Sequence, residues 1–141
     1  MRAPGGRLLA YALASVAVVA LAGCASTGPI ASGPLPRIPI QSPIATAQSW
    51  FKALNDHNMA LAQAHFSPGS RDQMEWSNFD SARFSNVRCR QVSGSLTSSN
   101  VRCTFGESGI SGIPGSGTSF WTISFERQPP GPWLITTYGQ P

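Results

Sequence analysis

Three kinds of side chain in this 141-residue chain could do chemistry. Cys24, Cys89 and Cys103 offer sulfur, and a thiolate is a nucleophile, a metal ligand and one half of a disulfide. Asp72, Asp80, His57, His65 and Tyr138 are the groups from which a general acid or base would be drawn. Arg88 and Arg102 stand in two matching Asn-Val-Arg-Cys stretches, and Arg90 follows the first. Guanidinium groups gathered on one surface recognise anions. What each group can do depends on where the chain puts it, so the elements come next.

The amino terminus carries an address. Arg2 and Arg7 precede an apolar run from Leu8 to Ala22, interrupted only by Ser15. That run is shorter than the roughly 20 residues of a spanning helix and has the form of a secretory signal. It closes on Leu21-Ala22-Gly23-Cys24, which resembles the bacterial lipobox. The resemblance implies diacylation of the Cys24 thiol, cleavage before it and acylation of the new amino terminus. An ordinary secretory signal with a chance Cys is the alternative. On the lipobox reading, residues 1–23 are the signal, 24–41 a tether and 42–141 a domain. The protein is then lipid-anchored at the cell membrane, on its extracytoplasmic side. The tether, Ala25–Gln41, holds Pro29, Pro34, Pro36 and Pro39 and keeps no helical or alternating period. Extended at about 3.1 Å per residue it reaches roughly 50 Å.

If Cys24 carries lipid, Cys89 and Cys103 remain as an even pair in an oxidising setting. Both lie in stretches that alternate as strands do, with Gly94, Ser95 and Thr97–Asn100 between them as a turn. A bridge between them sets an antiparallel hairpin in which Val87 faces Phe105, Arg88 faces Thr104, Arg90 faces Arg102 and Gln91 faces Val101. A zinc site fails on ligand number and spacing. A redox pair lacks the Cys-x-x-Cys spacing. No metal or cofactor is expected.

Helices come first in the domain. Ser42-Pro43 has the form of a helix start, and Ile44, Ala47, Phe51 and Leu54 recur at helical spacing, with Trp50 beside them. Asp56-His57-Asn58 breaks the helix, and Asn58 caps a second from Met59 to Phe66. Ser70-Arg71-Asp72-Gln73 has capping-box spacing and predicts a third that holds Met74 and Trp76. The period then becomes two. The Cys hairpin is followed by a Gly/Ser loop over Gly106–Gly117, a strand over Thr118–Arg127, a turn at Gln128–Gly131 and a last strand over Trp133–Tyr138. Helices followed by an antiparallel sheet predict an α+β fold with helices on one face of the sheet.

The run Ala45-Thr-Ala-Gln-Ser-Trp-Phe-Lys-Ala-Leu-Asn-Asp-His-Asn-Met-Ala-Leu-Ala-Gln-Ala-His-Phe-Ser-Pro68 resembles the opening helices of nuclear transport factor 2-like domains. The ending Gly131-Pro-Trp-Leu-Ile-Thr-Thr-Tyr-Gly139 is similar to that family's closing strand. The resemblance covers about residues 42–141. It implies a cystatin-like cone, a curved and mostly antiparallel sheet around a helix, with a pocket at the open end. It also raises homodimerisation. Trp50, Trp121 and Phe125 are the expected pocket wall, with His65, Asp80 and Tyr138 as polar groups in reach. The family includes isomerases, cyclases, dehydratases and domains without catalysis, so the fold does not decide function. No catalytic residue is carried over, because no catalytic motif of the family matches. Each acid or base also has an ordinary reading: His57 solvated in the polar break, His65 structural, Asp72 a first-turn carboxylate, Asp80 a turn cap, Tyr138 a rim aromatic.

In the hairpin register Arg88, Arg90 and Arg102 share the face opposite the cysteines. That face is either a solvated surface partnered by Glu126 or Glu107, or a docking face for an anion such as a lipid headgroup, an acidic glycan or an acidic protein. The expected function is a non-enzymatic envelope lipoprotein that binds a partner protein or a small apolar ligand. The alternative is a small-molecule isomerase, cyclase or dehydratase. Nucleic acid is not an expected partner of an exported protein. The chain's formal +4 is mostly an export signal and not a partner signal. Arg2, Arg7 and Arg37 lie before Ser42, which leaves the domain seven basic residues against six acidic.

Overall fold

The computed structural model describes residues 33–110 and 118–140. The expected signal segment, Cys24, most of the expected tether and residues 111–117 of the expected Gly/Ser loop lie outside the described residues. Residues 33–41 form neither helix nor strand. The fold is α+β: helices precede a four-stranded antiparallel sheet of order β1-β2-β3-β4. Among the described residues no helix is long and apolar enough to cross a membrane.

Helix α1 (Pro43–Asn55) starts as its residues dictate. The Ser42 hydroxyl accepts from the Ala45 N–H at 3.1 Å, and Pro43 takes the first position, where no amide is needed. Ala47, Trp50, Phe51 and Leu54 are buried on one stripe. Lys52 pairs with Asp56 one turn on, at the surface. His57 takes φ +53° and turns the chain. Asn58 then caps α2 (Met59–Ala64), its side-chain oxygen accepting from the Leu61 N–H at 3.1 Å.

The third helix departs from the expectation. Helix α3 (Pro68–Arg71) begins before the Ser70–Gln73 box, and Asp72 closes it instead of lying in its first turn. Pro68 decides this, because Ser67-Pro68 is a stronger start than Ser70. Trp76 belongs to a separate 3-10 turn, Trp76–Phe79.

The strands are β1 (Arg83–Gly94), β2 (Ser98–Ser108), β3 (Thr118–Glu126) and β4 (Leu134–Gly139). Cys89 and Cys103 are directly opposed and joined by a disulfide, with their Cα atoms 4.0 Å apart. Arg88 faces Thr104, Arg90 faces Arg102 and Gln91 faces Val101, as the bridge requires. The pairing of Val87 with Phe105 fails. The ladder shifts between Ser85 and Arg88, and again between Gln91 and Ser93. The first shift is a bulge: Asn86 sits at φ +51°, and two residues of β1 oppose one of β2. Bulges bend and twist a strand, which helps β1 wrap over α1.

The sheet's inner face buries Val101, Cys103, Phe105, Trp121, Ile123, Phe125 and Ile135. Helix α1 lies on it, with Phe51 against Phe84 and Phe105 at 5.0 Å between ring centroids. The Asn55 amide ties the helix end to β1, donating to the Phe84 carbonyl at 2.8 Å and accepting from its N–H at 2.7 Å. At the other edge, His65–Ser67 runs along β4. The Ile135 N–H donates to the His65 carbonyl at 2.7 Å, and the Ser67 N–H to the Ile135 carbonyl at 2.9 Å.

Candidate functional site

Two places compete for function: the interior beneath α1 and the outer face of the sheet. The interior is crowded with aromatic rings. Trp50 is fully buried and touches Phe51, Phe66, Phe79, Trp121 and Tyr138 with centroids 5.2–6.3 Å away. Trp121 stacks with Phe51 at 5.8 Å and meets Tyr138 at 5.0 Å. Each such pair adds about 0.5–1.5 kcal/mol beyond the area it buries. Trp50 and Trp121 are held among other rings, and Phe125 is buried in the same core.

The expected polar groups do not converge. Asp80 is exposed and ends the 3-10 turn, its N–H bonded to the Ser77 carbonyl. His65 is buried, 1% exposed, at the C-cap of α2. Its Nδ1 lies 2.7 Å from the Leu61 carbonyl, an acceptor, so Nδ1 carries the proton. Nε2 has no hydrogen-bond partner among the described residues. Burial holds the His65 pKa below its ordinary value, against a smaller upward pull from the Leu61 bond. The ring is a neutral structural imidazole. Burial raises the Tyr138 pKa, so its hydroxyl keeps its proton at neutral pH. His57 is exposed in the turn, and Asp72 is exposed near Arg71 Nε at 3.9 Å.

Two surface concavities lie elsewhere. One of about 570 Å³ sits between Ser67-Pro68, the β1–β2 turn and the β3–β4 turn, with Glu126 and Arg127 on its wall. A second of about 480 Å³ lies over Ser85, Gly106 and Thr118. Neither is lined by the six residues expected at a pocket. Among the described residues no group of three or more His, Cys, Asp or Glu could hold a metal ion.

The outer face is built by alternation. With Cys89, Cys103 and Trp121 turned inward, Arg88, Arg90, Arg102, Thr104, Phe120 and Thr122 turn outward. Arg83 lies opposite Ser108 on the same side. Arg88 and Arg90 are exposed, and Arg102 is half-buried. The expected carboxylate partners are not there. Glu107 turns inward and accepts from the Ser119 hydroxyl at 2.6 Å, and Glu126 makes no ion pair among the described residues. The Arg102 guanidinium lies over the Phe120 ring, 5.2 Å from its centroid, within cation–π range. Phe120 was legible as a member of this face, because it alternates with Trp121; Arg83 was not, because strict alternation from Arg88 puts it on the cysteine side and only the bulge at Asn86 turns it outward.

No family model, no curated protein and no solved structure matches this chain. Its function is argued from its own residues.

Proposed function

We propose that the chain is an exported lipoprotein of the cell envelope, anchored through Cys24 on the extracytoplasmic side of the membrane. Its domain is of the nuclear transport factor 2-like kind and works without catalysis, by binding at its surface. Leu21-Ala22-Gly23-Cys24, placed directly after a short apolar run, supports the anchor. Helices leading into an antiparallel sheet, and an aromatic α1 laid on that sheet, support the domain type.

One observation carries the functional part: the interior is packed with rings, with Trp50 touching five others. A small apolar ligand would have to displace them, whereas a macromolecular surface would not. This favours a partner met at the surface over a ligand held inside. The isomerase, cyclase or dehydratase reading needs an acid and a base converging on substrate. Here Asp80 faces solvent while His65 is enclosed.

The anchor is tested by growing cells on a clickable palmitate analogue. The wild-type chain takes up label and the Cys24→Ala variant takes up none. Equal labelling of the two, or none in either, contradicts the anchor.

A further inference from the structure

We propose that the outer face of the sheet docks on anionic phospholipid headgroups of the membrane that holds the chain's own anchor. This rests on the anchored reading above, because the tether is what keeps the domain beside that membrane.

The charge distribution leads to it. The strands' outer face carries four arginines, Arg83, Arg88, Arg90 and Arg102, against one acid, Glu126. Elsewhere in the domain from Ser42 on, the cations have partners, whereas Arg37 before it pairs with no carboxylate among the described residues. Lys52 pairs with Asp56, Arg71 lies by Asp72, and Arg127 lies over Trp133 at 4.6 Å. None of the four outer-face guanidiniums pairs with a carboxylate among the described residues. A domain of nearly balanced charge is thus polarised: among its described residues from Ser42 on, five arginines lack a carboxylate partner, and all but Arg127 lie on this face. Arg90 stands directly opposite Arg102, an arrangement that works against folding unless something outside the chain neutralises it.

Phe120 narrows the choice of occupant. Its ring is 37% exposed and lies under Arg102, amid the cations. Arginines around an exposed ring fit a headgroup layer, where guanidiniums meet phosphates and the ring meets the apolar boundary beneath. A second copy of the chain is a poor occupant, because two such faces repel. An acidic protein would have to arrive by diffusion. Headgroups, by contrast, are always in reach of a tether that spans at most roughly 50 Å.

The test uses the full protein extracted from membranes. It is reconstituted with vesicles of phosphatidylcholine alone, or with about one-third phosphatidylglycerol. Arginines are labelled with a dicarbonyl reagent and read peptide by peptide by mass spectrometry. Labelling of Arg83, Arg88 and Arg90 is expected to fall at least about five-fold on the anionic vesicles relative to the neutral ones, with Arg71 unchanged. Salt at about 0.5 M should abolish the protection. In the Arg88→Glu/Arg90→Glu variant, both sites being exposed, labelling at Arg83 should stay high on both vesicles. Equal labelling of the wild type on the two vesicles overturns the proposal. So does protection that appears only when an acidic protein is added. Flotation separates the two readings. A chain that floats with neutral vesicles has its anchor, and equal labelling then sinks the face alone. A chain that does not float with them lacks the anchor, and flotation with protection on anionic vesicles still upholds the face.

Discussion

His65 shows how a residue suited to catalysis can be spent on structure. It caps α2, lends its carbonyl to β4 and keeps one ring nitrogen bonded to Leu61. Its folded pKa lies below the ordinary value, so the unfolded chain takes up the proton more readily. Its contribution is therefore intact above about pH 6.5 and is lost as pH falls below that value. Thermal melts of the wild type should hold steady near pH 7–8 and drop below about pH 6.5, and His65→Gln should flatten that drop. An unchanged slope in the variant would mean that another group sets it. Tyr138 has the opposite sign. Its pKa is raised by burial, so its contribution holds at neutral pH and fades above about pH 10.

At the scale of elements, the disulfide fixes the hairpin. It joins edge strand β1 to β2 with a sequence separation of 14 residues. Closing a loop of about 15 residues is worth roughly 3 kcal/mol in the chain-entropy model. Urea unfolding of the Cys89→Ser/Cys103→Ser variant should give a stability lower by about that amount; a loss under about 1 kcal/mol would contradict it. The hairpin was readable because two like stretches each carried a Cys, and a cross-strand bridge permits one register. Helix α1 was readable from Ser42-Pro43 and its apolar stripe. The bulges were not, since Asn86 and Val92 look like ordinary strand residues and only the bend of the sheet over α1 demands them. Helix α3 was misplaced because Ser67 and Ser70 both suit a cap, and Pro68 outweighs a capping box. Gly109 is one more local necessity: it sits at φ +74° against the Ser81 carbonyl, where a Cβ would collide.

Over the whole molecule, the distribution of charge and of rings says more than any single group. Alternation alone disclosed the arginine face, because a register and a period of two determine which side each residue takes. The filled interior was not disclosed, because a list of aromatics does not say whether they meet. In the fold they do, around Trp50. On the proposed reading the domain acts where it is held, so the attachment at Cys24 is the central claim. The intact mass of the protein extracted from membranes tests it most directly. The expected mass is that of a chain that starts at Cys24, with acyl groups on Cys24 and two hydrogens fewer for the Cys89–Cys103 bridge. A mass that fits a chain with residues 1–23 retained, or cleaved elsewhere and free of acyl groups, would contradict it.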